Sequence, residues 1–482
     1  MNRKIVFSIT GRLLEAMALI LLLPMIVAII YREKCFSAFL ITAAISLALG
    51  IVLRIFTRGY SKTLYAKEGF LIVSLAWLSA SLIGCLPFII SGELPNFADA
   101  FFETVSGFTT TGASIATNVE AFSHAMLFWR SFTHWIGGMG VLVFIVAFAN
   151  NISDRAIHIL RAEMPGPVVG KLVPRAKDTS KVLYIMYIVL TLSQIVLLWL
   201  GDMNLFESII HSLGTAGTGG FGLKNDSLGS YSAYSQWVIT IFMMVFGVNF
   251  NLYYLLITKR FKAVFKSTEL LTYIGIAVVS TVLIIFNIRS TFPSISETVR
   301  HTSFQVASIM TTTGYSSFDF NTWPEFSKSI LLVRMFIGAC AGSTAGGLKI
   351  SRLTILFKMG LREIKRMIHP RSVGSVKFEG KDVDEQTKSN ITTYFAVYMM
   401  CFFIVFLILS LEGAPFDFET NFSAVAACFN NIGPGFGVVG PMGSYEQYSA
   451  FSKLLLSFAM LFGRLEIFPL LIALNPSSWK KR

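Results

Sequence analysis

Four short segments carry residue types that could bind a small cation. They read Thr-Thr-Thr-Gly-Ala-Ser from Thr109, Ala-Gly-Thr-Gly-Gly-Phe-Gly from Ala216, Thr-Thr-Thr-Gly-Tyr-Ser from Thr311 and Asn-Asn-Ile-Gly-Pro-Gly-Phe-Gly from Asn430. Backbone carbonyls and threonine hydroxyls are hard oxygen ligands, suited to alkali cations rather than transition metals. A ring of such carbonyls can replace the hydration shell of an ion. Glycine serves this purpose because successive carbonyls turn toward one axis only where some residues take φ > 0, which costs glycine little. Aligned on the Thr-Gly core, the glycines are Gly112, Gly219, Gly314 and Gly433, separated by 107, 95 and 119 residues. A unit of about 100 residues therefore recurs four times, and such repetition outranks any single motif. Small residues that let helices approach closely would explain one such loop; four at the same place in four repeats favour a cation site.

The elements that must position these loops are legible in the hydropathy. Of 482 residues, 54% are hydrophobic and only 14% charged, against about 25% charged in a soluble protein. The mean hydropathy is +0.66. Apolar runs long enough to span a bilayer read as Leu13–Tyr31, Phe36–Ile55, Gly69–Ile90, Ala125–Ala149, Val182–Leu200, Trp237–Ile257, Leu270–Ile288, Ser329–Phe357, Thr392–Leu411 and Ser452–Leu474. Each Thr/Gly loop follows a shorter apolar segment: Phe97–Phe108, Leu205–Leu213, Ser296–Met310 or Phe418–Phe429. These are too short to cross and suit re-entrant helices. The non-helical backbone after them must line water or be buried in protein. The expected fold is an all-α polytopic membrane protein with ten transmembrane helices and four re-entrant pore helices in pseudo-fourfold arrangement. Its expected units are an N-terminal two-helix hairpin, 1–67, and four helix–loop–helix repeats, 68–180, 181–266, 267–388 and 389–482.

Charge orients this arrangement. The net charge is +13 and the pI about 9.5, which in a soluble protein would suggest nucleic acid. Here 30 of the 40 basic residues fall in six clusters: the N-terminus, Arg54–Lys67, Arg155–Lys181, Lys259–Lys266, Lys349–Lys388 and Lys480–Arg482. That is the positive-inside pattern. With an even number of spans it puts both termini in the cytoplasm, and no nucleic-acid partner is expected. Five scattered cysteines without a CxxC pair indicate neither a zinc site nor a disulfide framework. Gly435 to Gly440 fits GxGxxG without a βαβ unit around it. Gly342 to Gly347 begins like a P-loop but has Leu348 where lysine would stand. With no HExxH and no GxSxG either, no enzyme is expected and no organic cofactor.

The eighth span holds a second signal. Gly338, Gly342, Gly346 and Gly347, with Ser343, Thr344 and Ala345, interrupt an apolar helix. Glycine costs about 1 kcal/mol against alanine in a helix, so a break at mid-membrane is expected over 338–347, with a tight helix-packing face as the alternative. Arg464 lies inside the last span, where it must face water or the bundle interior; Glu466 could neutralise it locally. Arg130 is expected to snorkel to the interface and His134 to be a packed core histidine. Acidic residues in or before the short helices (Asp99, Glu103, Asp202, Glu207, Glu297, Asp417, Glu419) would stabilise helix N-termini and draw cations to the outer mouth.

The four loops, with His-Trp-Ile-Gly-Gly-Met-Gly from His134 and the glycine-rich run from Gly338 to Arg352, resemble the TrkH/TrkG/KtrB family of bacterial potassium-uptake proteins over essentially the whole chain. The added N-terminal hairpin is most similar to the TrkH branch. The resemblance implies K+ as the transported ion, coordinated at Thr111, Gly112, Thr218, Gly219, Thr313, Gly314, Ile432 and Gly433, with the neighbouring Thr110, Gly217, Thr312 and Asn431. The fourth loop departs from the others with Asn-Ile before its glycine and Pro434 after it. It further implies a gate at Gly338, Gly342, Ser343, Thr344, Gly346 and Gly347 facing Arg464. A homodimer in the lipid of the bacterial inner membrane and a cytosolic TrkA-type nucleotide-binding ring are implied as well. Docking of that ring is expected on the basic loops Arg155–Lys181 and Ser351–Asn390. A secondary transporter coupling K+ to H+ or Na+ is the other reading, since broken helices serve transporters too.

Overall fold

The computed structural model describes residues 2–59, 66–140, 176–371 and 374–480. Helices dominate; among the described residues the strands form one short antiparallel ribbon, β1 (Lys377–Phe378) with β2 (Lys381–Asp382). At the N-terminus α1 (Arg3–Ile20) runs into α2 (Leu22–Ile30), and α3 (Phe36–Phe56) returns against α1. Gly11 and Gly50 allow the close crossing, because a Cβ on Gly50 would stand 2.7 Å from the Gly11 carbonyl oxygen.

Next come α4 (Ala66–Gly84), α5 (Leu86–Ser91), the short α6 (Phe97–Phe108) and α7 (His124–Gly138). The second group is α8 (Ala176–Trp199), the short α9 (Leu205–Gly217), α10 (Ala233–Phe246), α11 (Phe250–Ile257) and α12 (Phe261–Phe265). The third is α13 (Thr268–Ile288), the short α14 (Ile295–Met310), α15 (Glu325–Phe336) and α16 (Ile350–Ile368). The last is α17 (Glu385–Leu409), the short α18 (Phe418–Phe429), α19 (Ala450–Arg464) and α20 (Phe468–Leu474).

The four short helices start alike. Side chains of Asn96, Asn204, Ser294 and Asp417 cap them, accepting from the N–H of Ala98, Glu207, Glu297 and Thr420. Glu207 completes a capping box with Asn204. Beyond the first turn or two each helix is buried almost all round, and the burial includes polar side chains such as Glu103, His211 and Gln305.

Six helical stretches are long and apolar enough to cross a membrane: Arg3–Ile30, Phe36–Phe56, Lys67–Ser91, Lys181–Trp199, Thr268–Ile288 and Glu385–Glu412. The pair α10 and α11 makes a seventh if counted as one span, bent by 91°. Along α13 the exposed large apolar side chains are Leu271, Ile274, Val278, Val279, Val282, Leu283 and Phe286, a face that only lipid or another apolar surface would cover. Of the three remaining expected spans, Ala125–Ala149 runs beyond the described residues. The other two, Ser329–Phe357 and Ser452–Leu474, are broken in the middle. The backbone leaves the helix at 337–349 in one, and in the other at Glu466 and Ile467, whose φ angles are +53° and +65°. The expected break after Gly338 is thus accompanied by breaks at Gly247–Asn249 and after Arg464 in the corresponding helices of the second and fourth groups, while α7 of the first ends at Gly138.

A candidate cation site between four loops

After each short helix the chain makes the same backbone excursion. Thr110, Thr218, Thr312 and Asn431 take φ of +57°, +55°, +55° and +57°, and two residues later Gly112, Gly220, Gly314 and Gly433 take +78°, +79°, +85° and +102°. The residue between them donates its N–H to a carbonyl five residues back: Thr111 to Ser106 at 2.9 Å, Gly219 to Gly214 at 2.9 Å, Thr313 to Ser308 at 2.8 Å and Ile432 to Ala427 at 2.8 Å. Non-glycine residues at positive φ are uncommon and cost of order 1 kcal/mol or more, so four at equivalent positions mark an imposed geometry.

This geometry corrects the alignment of the second loop. Thr218 and Gly219 match Thr110 and Thr111, one place earlier than the Thr-Gly pairing implied, and the left-handed glycine is Gly220. The Thr-Gly pair was a misleading anchor because Gly219 itself does not take positive φ.

The four loops close on one another. A Cβ added to Gly112 would overlap the Gly219 carbonyl oxygen, one on Gly220 that of Thr313, and one on Gly314 that of Ile432. A Cβ on Gly433 would lie 2.7 Å from the Thr111 carbonyl oxygen, which completes the ring. Each left-handed glycine thus gives room to the middle carbonyl of the next loop. Asn431 Nδ2 bridges loop four to loop one by donating to Thr111 Oγ1 at 3.0 Å. The C-termini of four buried helices end at this ring, and the negative ends of their dipoles favour a cation there.

On one side of the ring lies a cavity of about 290 Å³, touched by Gly112, Gly220, Gly314 and Gly433. On the other side the space shrinks to about 60 Å³, lined by Gly138, Gly140, Gly342, Ser343, Gly346 and Arg464 among others. The segment 337–349 fills it. Its two ends pair with each other, Gly338 N–H to Leu348 O at 2.8 Å and Ile350 N–H to Ala339 O at 3.2 Å. Cys340 N–H donates to Gly247 O at 3.1 Å, Phe250 N–H to Gly342 O at 3.1 Å and Ala341 N–H to Glu269 Oε1 at 2.7 Å. Gly346 N–H reaches Thr312 Oγ1 at 2.6 Å, directly beneath the third loop. A Cβ on Gly346 would stand 2.6 Å from Asn430 O, so only glycine passes so near the fourth.

Arg464 ties this plug to the first group. Its guanidinium donates to Thr344 O at 2.8 Å, to Gly137 O at 2.5 Å and to Gly138 O at 2.8 Å. The Glu466 carboxylate pairs with Arg352 at the start of α16, with both side chains about nine-tenths buried. Lys349 turns its ammonium onto the carbonyls of Ala345 and Gly346.

Among neighbouring residues, Arg130 and most of the acidic residues differ from expectation, whereas His134 is as expected. Arg130 is 3% exposed rather than snorkelling, and it is ion-paired to Glu103 at 2.7 Å. The run Ala125–Ala149 places it near a membrane boundary, whereas α7 starts at exposed His124 and is buried along most of its length from Ala125 on. His134 is a packed histidine, wholly buried, with Nδ1 2.8 Å from Gly107 O and its ring centroid 4.3 Å from that of Phe221. The acidic residues are largely engaged rather than free to draw ions. Asp99 pairs with Lys453 at 2.6 Å, Glu419 with Lys328 at 3.1 Å, and Asp202 accepts from Ser232 and Ser235.

A predominantly helical chain with four helix–loop groups, wide apolar outer faces and a closed ring of loop carbonyls defines a membrane protein of the cation-transport class. A family model for TrkH cation transport proteins matches residues 36–481. The chain is 36% identical over 490 residues to the Trk system potassium uptake protein TrkH of Escherichia coli K12, all of both chains being covered. It is 35% identical to TrkG of the same strain, covering 99% of each. The crystal structure of the potassium transporter TrkH from Vibrio parahaemolyticus superposes with a TM-score of 0.89 at 33% identity, over all of both chains. The chain belongs to the TrkH family of cation transport proteins. The family is one of transporters rather than enzymes, in keeping with the sequence.

Proposed function

We propose that this protein is the ion-conducting subunit of a Trk-type potassium uptake system. The closed ring in which each left-handed glycine accommodates the middle carbonyl of the next loop carries the reading. K+ would be held at Thr110–Gly112, Thr218–Gly220, Thr312–Gly314 and Asn431–Gly433, where carbonyls substitute for its water shell. The wide cavity is then the outer vestibule, and the segment Gly338–Lys349, pinned by Arg464, is the gate in its closed position. The names of the relatives support K+ as the cargo. The division into a hairpin, 1–67, and four pore repeats at 68–180, 181–266, 267–388 and 389–482 accords with the four equivalent loops. The short helices would be re-entrant, and both termini would lie on the cytoplasmic side of a bacterial inner membrane.

Two such chains would form the homodimer, with a nucleotide-binding ring of the TrkA type beneath. The exposed basic residues of α16 and the ribbon after it are the docking face available among the described residues; Arg155–Arg175 lies outside them. A channel is favoured over a coupled transporter by Glu466, since the carboxylate nearest the path is committed to Arg352. Flux into proteoliposomes tests the reading. K+ flux that ignores ΔpH and Na+ supports it, and flux that requires a second ion replaces it with coupled transport.

A further inference from the structure

A charged pair set back from the ring of loop carbonyls lies behind the first loop. Glu103 on α6 is 1% exposed and Arg130 on α7 is 3% exposed. Arg130 Nε donates to Glu103 Oε1 at 2.8 Å, and its Nη2 lies 2.7 Å from the same oxygen as an ion pair. The same carboxylate accepts from Ser114 Oγ at 2.9 Å and, through Oε2, from the Ile115 N–H at 3.0 Å. Arg130 Nη2 also donates to Ser114 Oγ at 3.2 Å. Ser114 and Ile115 are the second and third residues after the ring glycine Gly112. On its other side the guanidinium lies 4.0 Å from the ring centroid of Phe221, the residue after the ring glycine Gly220. One ion pair therefore grips the exits of two adjacent loops.

The other groups use weaker devices at the same place. Nine residues before the left-handed glycine stand Glu103, His211, Gln305 and Ala424. Gln305 repeats the connection without charge, donating to Ser316 Oγ at 2.7 Å and Phe318 O at 3.1 Å. His211 turns instead to Tyr231 Oη at 3.3 Å, and beside Ala424 the link is Ser423 Oγ accepting from the Phe436 N–H at 2.7 Å. The first loop alone among these four is held by a carboxylate and a guanidinium. A buried ion pair is a poor source of stability, since apolar side chains of similar volume commonly do as well or better. Its directionality is what apolar packing lacks: Arg130 is fixed on Oε1 while both carboxylate oxygens are held by Ser114 and Oε2 by the Ile115 N–H, so charge-assisted hydrogen bonds set the direction of each contact.

We propose that the Glu103–Arg130 pair is a positioning element for ion discrimination, holding the exits of the first and second loops at the separation that fits one dehydrated cation. The proposal rests on the filter reading above. It assigns Glu103 and Arg130 no contact with the ion in the ring; they act through Ser114, Ile115 and Phe221. Arg130 also borders the outer cavity, so once unpaired it would present positive charge to entering cations.

The test uses the full chain in proteoliposomes: the parent, Glu103→Gln, Arg130→Gln and the double variant. Two quantities are read, the K+/Na+ flux ratio and the K+ concentration at half-maximal flux. Glu103→Gln should lower the flux ratio by about tenfold or more, equivalent to about 1.4 kcal/mol, and raise the half-saturating K+. The double variant should recover the half-saturation, having no lone charge, while its discrimination stays low. A merely structural role would change the yield of folded protein and leave both quantities alone. If a single variant does not fold because one charge is stranded, the double variant decides. Any folded variant lacking the pair that discriminates like the parent overturns the proposal. A parent that does not favour K+ overturns the filter reading itself, and the proposal with it.

Discussion

Replacing Arg464 with alanine should open the closed path. The side chain makes three hydrogen bonds to carbonyls, one on the plug at Thr344 and two on the end of α7 at Gly137 and Gly138. Of these three, the bond to Thr344 is the one that a movement of the plug would break. A hydrogen bond from a charged donor contributes about 1.5–3 kcal/mol, so its removal shifts the open-to-closed ratio by about 10- to 150-fold. The guanidinium would also repel a permeant cation; for a separation of about 7 Å and an effective dielectric constant of about 20, that repulsion would be about 2 kcal/mol. Both effects act in one direction, and the larger estimate holds only while the parent gate is mostly shut. The assay is K+ efflux from proteoliposomes containing the chain without any regulator. Arg464→Ala should raise the basal rate at least about tenfold. Arg464→Lys keeps the charge but not the forked reach to two groups, so it should fall between. A folded Arg464→Ala protein with the parent's rate would refute the assignment of the plug as a gate held by this residue.

Four further outcomes are expected. Gly220→Ala should abolish selective flux, because an L-residue in this left-handed conformation costs about 1–2 kcal/mol and its Cβ would overlap Thr313 O; flux measurement on folded protein checks it, and retained K+ flux would restore Gly219 as the key glycine. Gly112→Ser or Gly314→Ser should lower K+/Na+ discrimination with near-normal expression, and loss of folded protein in both would leave these positions as packing residues. Arg352→Ala should destabilise the chain by about 3–5 kcal/mol by leaving Glu466 buried and alone, with Arg352→Ala/Glu466→Gln milder; thermal unfolding in detergent reads this, and equal losses would mean the pair is not coupled. Reversing the charges of Lys358, Lys365 and Arg366 on α16 should weaken nucleotide control by a regulatory ring without removing basal flux, and unchanged control would exclude α16 as the docking face.

Much of the fold could be read from hydropathy and repetition. The short helices Phe97–Phe108 and Phe418–Phe429 have the bounds expected from the apolar segments, because an Asn or Asp cap at one end and a Thr/Gly or Asn/Gly run at the other punctuate them sharply. The breaks in the second helices were legible only where glycines cluster, after Gly338. At Glu466–Ile467 the apolar run simply continues, and hydropathy does not register a change in backbone direction. The register of the second loop was lost for a related reason: which of two adjacent glycines is left-handed depends on the carbonyl pressing from the next loop, a contact 93 residues away in sequence between Gly220 and Thr313. The burial of Arg130 was hidden because its partner, Glu103, lies on another helix. An arginine and a glutamate inside two apolar segments were nonetheless a signal that they might be each other's partner.

The central claim is that the four-loop ring passes K+ down its own gradient. Flux into proteoliposomes holding this chain alone tests it most directly, with K+ and Na+ compared and a pH gradient imposed or absent. K+ flux that exceeds Na+ flux and is indifferent to ΔpH and to Na+ is the expected result. Flux that stops unless H+ or Na+ moves with K+, or that treats K+ and Na+ alike, would contradict it.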